Sequence, residues 1–516
     1  YNRAMSKIYH LSFSILQKVM LITAVHWFLI AIWHVAELNS IAIIAFVGLA
    51  YLAYRYRHLL EKAYHWLMKH KFLIMLAAFI FQLIMLFSAE LLIRRDAAVV
   101  FTGAFKTLKE SSISSYLTRN PNNVSLFLYE RFFFNVFGES GLWVMQALNI
   151  VYTNVTALIL YKSCQKYFSQ KAADAVFSLY VLLLGFSPYF FSMYTDIPPL
   201  PFISLQIFLV LGLLKGEESS RQLVWRSILL GLMTSLAFFF RPTVMILLIA
   251  VFGVLFFKKN WKKFFLTLVV FACSFAISYA PLHYLSKHQT EVPIIEGEGL
   301  AKGPLLFINL GLTFNGHNQE DMKEGLLQYI EPDKQYDYNN GMFAKEYVIK
   351  EIKRRLSEYN PLTLAHHLFH KQSLTVAEGD LGWLYRSVEN EKTPYISPFY
   401  QDTKDNPLTQ FIRDFFLNTD KSEFVYFSLS KQVVWIVMAA GLVFALWKYC
   451  SSDELNFLTL AVFGGLLFLQ IFEGGKTRYL IQFLPQILIL SALGLAQYPQ
   501  VLGKFRFWTR KKDSLK

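Results

Sequence analysis

Cysteine is scarce in this sequence. Only three of the 516 residues are cysteines, and Cys164, Cys273 and Cys450 lie in or beside apolar runs or on the side of the membrane assigned below to the cytoplasm. A disulfide framework or a thiolate metal site needs several cysteines at suitable spacing. The sequence therefore predicts neither of them.

The motifs of soluble nucleotide-dependent enzymes are missing as well. We find no Walker loop, Rossmann glycine pattern, nucleophile elbow or HExxH zinc motif. Charged residues make up only 17% of the chain, whereas hydrophobic residues make up 55%, and the mean hydropathy is +0.37. Because this composition is too apolar for a soluble enzyme of this length, we predict an integral membrane protein embedded in a lipid bilayer.

Long apolar runs recur along the chain and predict an all-α, polytopic protein with about twelve transmembrane helices. The predicted spans are 11–36, 39–54, 71–93, 142–161, 172–190, 197–214, 225–240, 243–257, 262–282, 431–449, 455–472 and 478–496. The first run is long and lacks a small-residue cleavage pattern, so we expect no cleavable signal peptide.

The formal charge of +14 comes from short basic clusters that alternate with the apolar runs. This arrangement follows the positive-inside rule and argues against nucleic acid as a partner. It predicts a multi-pass protein of the cell membrane with both termini in the cytoplasm. The chain then divides into an N-terminal transmembrane core (1–282) with its first outer loop (94–141), an extracytoplasmic loop module (283–430), and C-terminal helices with a basic cytoplasmic tail (431–516).

The stretch Ile93-Arg94-Arg95-Asp96-Ala97 follows the third span. Long arginine stems anchor readily at a membrane face, but a short carboxylate such as Asp96 gains little there, which makes it a candidate functional group. The first outer loop is also basic, against the orientation rule. An anionic ligand such as a lipid phosphate explains this excess, and so do amphipathic helices that lie on anionic headgroups.

Two further polar turns fall on the same predicted outer face. Asp196 lies in Tyr194-Thr195-Asp196-Ile197-Pro198-Pro199, either as a second functional carboxylate or as the N-cap of the following span. Arg241 lies in a short turn between two spans and either anchors the hairpin or binds a phosphate.

The segment Glu473 to Tyr479 precedes the last span. Its glycines, Lys476 and Arg478 suit a phosphate-binding turn, and the alternative is an ordinary polar hairpin.

The large loop carries Glu378 to Arg386, with His366, His367 and His370 upstream of it. Residues 366 and 370 share a helical face. A solvated or interfacial helix face is favoured for the histidines over a metal site, because no carboxylate is suitably spaced beside them.

Three features together resemble the GT-C superfamily of multispanning glycosyltransferases, including protein mannosyltransferase and aminoarabinose transferase relatives of family 39. These are Asp96 after an early span, Asp196 in a later outer turn, and the Glu-x-x-x-x-Arg-Tyr entry (Glu473, Arg478, Tyr479) to a late span. The segment Asn120-Pro121-Asn122-Asn123 also looks like bacterial members that decorate envelope polymers. The chain differs from the better-known pattern in lacking an Asp-Glu pair in its first loop and in having two extra spans before Asp96.

The resemblance implies a transferase that moves a sugar from a polyprenyl-phosphate carrier to an envelope glycan or teichoic-acid-like acceptor on the outer face. Asp96 would be catalytic, with Asp196 assisting it or holding a divalent cation such as Mg or Mn; the residues themselves predict no metal site. The candidates for binding the donor phosphate are Arg478, Arg241, Lys476 and Arg95. The candidates for binding or positioning the acceptor are Glu473, Asn122, Tyr479, Asp380 and Arg386. Two alternatives remain, a lipid-linked sugar flippase or transporter and an O-antigen-ligase-like polymerase.

Overall fold

The structure is a computed structural model that describes residues 2–88, 90–91, 95–216, 219–337, 339–382, 395–396 and 402–498. The predicted all-α fold class is confirmed, because the described residues form a bundle of helices. The described residues also include one antiparallel pair of two-residue strands, β1 (Glu90–Leu91) and β2 (Tyr395–Ile396). Arg94 and Arg386, which the sequence singled out, lie outside the described residues.

The N-terminal part contains α1 to α13. In chain order they are α1 (Asn2–Leu38), α2 (Ala42–Arg55), α3 (Arg57–Lys69), α4 (Lys71–Ser88), α5 (Arg95–Ala104), α6 (Glu110–Arg119), α7 (Val124–Phe137), α8 (Gly141–Tyr167), α9 (Gln170–Tyr180), α10 (Leu200–Lys215), α11 (Ser220–Phe240), α12 (Met245–Phe257) and α13 (Trp261–Lys287).

The remaining described helices are α14 to α21. They are α14 (Pro304–Gly311), α15 (Gln319–Leu327), α16 (Lys345–Glu358), α17 (Pro361–Val376), α18 (Pro407–Phe416), α19 (Phe424–Trp447), α20 (Asp453–Phe472) and α21 (Leu484–Leu495). The last of these follows a 3-10 segment, Thr477–Phe483.

Each of the twelve predicted spans overlaps helical structure in the described part of the chain, and in the span predicted at 71–93 the helix, α4, ends at Ser88. Among the described residues, eight helical segments are long and apolar enough to cross a membrane, and α2, α10 and the segment Pro242–Phe257 are shorter apolar helices. The predicted span 172–190 is interrupted, because α9 continues into a π-helical turn, Val181–Gly185. Carbonyls released by such a turn need partners inside a bilayer. The Gln82 amide donates to the Gly185 carbonyl at 3.0 Å, and Lys431 Nζ donates to the Phe186 carbonyl at 2.7 Å.

The core of the bundle lies around the last span. In the segment Thr477–Leu495, 78% of the most apolar stretch of 18 residues is buried inside the protein. The corresponding share is 11% in α13 and 22% in α4. The apolar side chains that α4 and α13 leave uncovered therefore face lipid in a membrane. Helix α1 packs along α19, α21 packs against α9 and α19, and α10 packs against α8 and α11.

The segment predicted as an outer module has a small hydrophobic cluster of its own. Leu306, Leu310, Met322, Leu326 and Val348 bring α14, α15 and α16 together. The module meets the transmembrane part where α14 packs on α20 and α17 packs on α1 and on the 3-10 segment Thr477–Phe483. The division into three parts at 282 and 430 remains a prediction.

Candidate active site

Asp196 is the centre of a buried ion cluster at one end of the bundle. Its side chain is 0% exposed, and each of its oxygens faces a guanidinium: Arg241 Nη2 donates to Oδ1 at 2.8 Å and Arg478 Nε donates to Oδ2 at 3.0 Å. Ser192 Oγ also donates to Oδ2, at 3.2 Å. The structure therefore joins three residues that the sequence had placed on one face but had not paired.

The local sequence explains this geometry. Pro198 and Pro199 keep the chain irregular before α10, which begins at Leu200 without a side-chain cap. Asp196 is thus not the N-cap considered from the sequence. Arg241 is extended at the end of α11 (φ −141°, ψ 105°), as expected for the residue before Pro242. Both polar turns then direct their side chains to the same place.

Electrostatics fixes the charge of the cluster. Burial alone raises the pKa of Asp196, but the charges of Arg478 and Arg241 outweigh burial and bring the pKa below its ordinary value. Asp196 is therefore ionised at neutral pH. Together with the two guanidiniums it leaves this part of the protein with a net positive charge.

One cation–π contact and two hydrogen bonds lead from the ion cluster to the first outer loop. The Tyr194 ring lies 5.0 Å from the Arg478 guanidinium carbon, and its hydroxyl donates to Asn123 Oδ1 at 3.0 Å. Asn123 Nδ2 in turn donates to the Tyr116 hydroxyl at 2.8 Å. Burial and then the negative charge of Asp96 raise the pKa of Tyr116, so the aspartate lies close to the far end of this chain.

Asp96 itself is exposed in the first turn of α5. Its neighbour Arg95 has a left-handed backbone (φ 54°) and acts electrostatically on His317, which also feels Arg478. Asp96 and Arg95 therefore belong to the same end of the bundle as the ion cluster. Asn122 is exposed, and the amide inside the hydrogen-bond chain is that of Asn123.

The segment Glu473 to Tyr479 forms one wall of the site. Burial raises the pKa of Glu473 to about 7, although Arg241, Arg478 and two lysines oppose this effect. The Gly475 amide donates to the Asn315 carbonyl at 2.9 Å and is therefore already bonded within the protein. The glycine at 474 has a packing reason, since a Cβ there would approach the Gly316 carbonyl to 2.5 Å.

Lys371 was not identified from the sequence. This lysine of α17 is 1% exposed, and its Nζ donates to the Gln470 carbonyl at 2.7 Å and to the Gly311 carbonyl at 3.1 Å. Burial lowers its pKa to about 8, opposed by the charge of Glu473. Lys371 thus ties α17, α14 and the end of α20 together behind the site. A single lysine at the end of an amphipathic pattern gave no signal for this role.

The other predicted residues have different surroundings. Asp380 accepts hydrogen bonds from Ser428 Oγ and from the Gly382 amide, both at 2.9 Å. Arg131, one of the basic residues of the first loop, is buried and donates to Glu291 at 2.6 Å and to the Gly103 and Ala104 carbonyls. Its charge therefore has a structural use.

A divalent cation does not fit the ion cluster. Both oxygens of Asp196 already face guanidiniums, so a metal there would meet two positive charges at close range. In the part of the chain that the structure describes, no group of three or more His, Cys, Asp or Glu side chains is arranged to hold a metal ion. We assign no reaction step to a metal.

The architecture defines an all-α integral membrane protein that crosses the membrane many times. The chain belongs to the family described as "Conserved hypothetical integral membrane protein", whose model matches residues 2–498. None of the curated proteins matches the chain.

Solved structures to which the chain shows a weak similarity include two of the Archaeoglobus fulgidus oligosaccharyltransferase. The apo form is 16% identical with a TM-score of 0.36, and the complex with an inhibitory peptide and a dolichol-phosphate is 15% identical with a TM-score of 0.36. They cover 77% and 76% of this chain, which spans only 44% of theirs.

ArnT from Cupriavidus metallidurans bound to undecaprenyl phosphate is 12% identical, with a TM-score of 0.34, 84% of this chain covered and 78% of that one. At these TM-scores the likeness carries no function over.

Proposed function

We propose that this protein is a GT-C type glycosyltransferase that moves a sugar from a polyprenyl-phosphate carrier to an envelope glycan or a teichoic-acid-like acceptor on the outer face of the membrane. One observation carries the proposal: an exposed carboxylate, Asp96, and a pair of guanidiniums, Arg241 and Arg478, lie at one end of the bundle and are linked through Tyr116, Asn123 and Tyr194. A base and an anion-binding group within one site are what this transfer needs.

The roles follow from charge and exposure. Asp96 takes the proton of the acceptor hydroxyl as its oxygen attacks the anomeric carbon. The bond between that carbon and the phosphate oxygen breaks, and its electron pair stays on the phosphate. Arg478 and Arg241, with Lys476 and Arg95, stabilise the growing negative charge. Asp196 holds the two guanidiniums in position.

The location of the site supports a lipid-linked donor. The ion cluster lies where spans end, so a carrier could keep its hydrocarbon tail in the bilayer while its phosphate reaches Arg478. Glu473 and Tyr479 line the same wall and are proposed to position the sugars, as is Asp380 nearer α19. The proposal places this end of the bundle outside the cell, with both termini in the cytoplasm.

The test is a transfer assay on Asp96→Asn in a host whose own copy of the gene is deleted. The sugar content of purified wall polymers is measured and normalised to the amount of membrane-inserted protein. We expect Asp96→Asn to lower the transferred sugar by about 100-fold or more, the usual scale for losing a general base. Asp405→Asn is the matched control, because Asp405 is also an exposed aspartate of the loop region, and we expect it to match the wild type.

Retention of the sugar by Asp96→Asn, at normal protein levels, would refute the proposed mechanism. A lipid-linked sugar flippase, or a ligase-like polymerase that does not need Asp96, would then explain the site better. Equal loss of the sugar in both variants would point to a general defect of the protein and would also argue against a specific role for Asp96.

A further inference from the structure

The turn from Phe314 to His317 belongs to none of the motifs identified in the sequence, yet it is tightly held. Asn315 (φ 60°) and Gly316 (φ 65°) both have left-handed backbones. Asparagine and glycine adopt this conformation more readily than other residues, so the pair suits a tight turn. Here the Asn315 carbonyl accepts from the Gly475 amide at 2.9 Å, and Asn315 Oδ1 bonds to His370 Nε2 at 2.7 Å.

This turn places His317 close to the ion cluster. The His317 ring centroid is 6.1 Å from that of Tyr479, next to Arg478 in the chain. The Nδ1 atom is buried, and among the described residues it has no hydrogen-bond partner. Most buried polar atoms have a partner. A ring nitrogen without one, in a turn built to hold it there, indicates a ligand contact.

The groups around His317 are mainly cationic. Burial and then the charges of Lys476, Arg95 and Arg478 lower the pKa of His317 to about 4. His370 and Lys371 approach the same turn from α17, and the Glu473 carboxyl lies among these cations. The imidazole is therefore neutral at pH 7 without a ligand. An anion bound among the cations would offset their charge and favour the imidazolium.

We propose that His317 is a further phosphate-binding residue of this site: its Nδ1 bonds to an oxygen of the carrier's phosphomonoester, and the imidazole takes up one proton as that phosphate binds. The inference rests on the proposed function, since the ligand is the carrier that remains after sugar transfer. It adds a group that responds to the charge of the phosphate, which the permanently charged arginines do not.

The sign of the pH dependence follows from linkage. Binding takes up a proton only between pH 4, where the free imidazole titrates, and the higher pH at which the bound imidazole titrates. Within this window the affinity rises by up to about tenfold for each unit by which the pH falls. The second ionisation of the phosphomonoester, near pH 6, acts in the opposite direction, because a monoanion attracts the cations less strongly than a dianion. A variant that cannot titrate separates the two effects.

The experiment measures the binding of undecaprenyl phosphate to the purified full chain in nanodiscs, between pH 5 and pH 8. His317→Asn keeps an amide nitrogen near the position of Nδ1 but cannot take up a proton, whereas His317→Ala removes the contact. His366→Asn is the matched control, because His366 is exposed on α17.

We expect His317→Ala to bind about tenfold more weakly, the usual scale for a hydrogen bond to a charged group. His317→Asn should bind like the wild type at pH 8 and progressively more weakly than the wild type toward pH 5. The control should match the wild type throughout.

Each other outcome rejects a definite statement. A constant affinity ratio between wild type and His317→Asn from pH 5 to pH 8 overturns proton uptake. Wild-type binding by His317→Ala overturns the phosphate contact. If the wild type binds and only Arg478→Gln weakens binding, this inference fails while the proposed function stands. If the folded wild type does not bind undecaprenyl phosphate at any pH, both fail.

Discussion

Two aspartates of the candidate site, Asp96 and Asp196, lie in opposite environments. Asp196 is buried and touches two guanidiniums and a hydroxyl, whereas Asp96 is exposed at the start of α5. The resemblance to the GT-C superfamily implied a catalytic role for Asp96 and an assisting or metal-holding role for Asp196. The comparison teaches that exposure separates their roles: we expect Asp196 to organise the site and Asp96 to meet the acceptor.

The energetics of burial explain the difference. An ionised carboxylate that is buried away from water needs charged partners and hydrogen bonds. Removing one member of such a cluster leaves the remaining charges buried without compensation, which is strongly destabilising. We therefore expect substitution of Asp196 to destabilise the bundle. Asp96, in contact with solvent, can change its partners at little cost to the fold.

The largest expected effect is that of Asp196→Asn on stability. The amide leaves two largely buried guanidiniums without their counter-charge, so we expect the free energy of unfolding to fall by about 3–5 kcal/mol. The measurement is thermal unfolding of the purified protein in detergent. In the same assay Asp96→Asn should change stability by no more than about 0.5 kcal/mol. Equal effects of the two substitutions would break the comparison.

A smaller effect, visible only as a pH dependence, is expected at Glu473. Its pKa is near 7 in the folded protein and near the ordinary value of about 4.3 in the unfolded chain. The folded state then holds the extra proton between these values, so this group destabilises the protein as pH rises from about 4.3 to 7, by up to about 3 kcal/mol.

Glu473→Gln should remove that contribution. The thermal midpoint of the variant, relative to that of the wild type, should rise between pH 5 and pH 8. The low pKa of His317 contributes with the opposite sign, but it is common to both proteins and cancels in the difference. A difference that does not change with pH would show that Glu473 is already ionised at pH 5.

The smallest effect tests the link between the two aspartates. Tyr194→Phe keeps the ring beside Arg478 but removes the hydroxyl that donates to Asn123. We expect a loss of about 1 kcal/mol in stability, the usual scale for one hydrogen bond. If the hydrogen bonds through Tyr116 position Asp96, the transfer rate per folded protein should also fall. An unchanged transfer rate would mean that the two aspartates act independently.

Much of the fold could be predicted from hydropathy, since every predicted span overlaps a helix in the described part of the chain. The interrupted span at 172–190 could not, because the π-helical turn depends on Gln82 and Lys431, which lie far away in sequence.

For the site, alternating charge placed Asp196, Arg241 and Arg478 on one face, but only tertiary structure shows that one carboxylate holds both arginines. Asn123, one residue from the predicted Asn122, was missed because a helical turn decides which of the two side chains is buried. Nothing in the local sequence indicated which groups His317 would face.

The three residues of the ion cluster are synthesised at widely separated times. Arg241 follows Asp196 by 45 residues and is made with the next pair of helices, whereas Arg478 follows by 282 residues and emerges only with the last span. Between the synthesis of Arg241 and that of Arg478 the chain contains only one of the two arginines that bind this carboxylate. The segment before the final helix therefore supplies the second counter-charge of a carboxylate made much earlier, so a chain that ends before residue 478 lacks one of the two guanidiniums bound to Asp196.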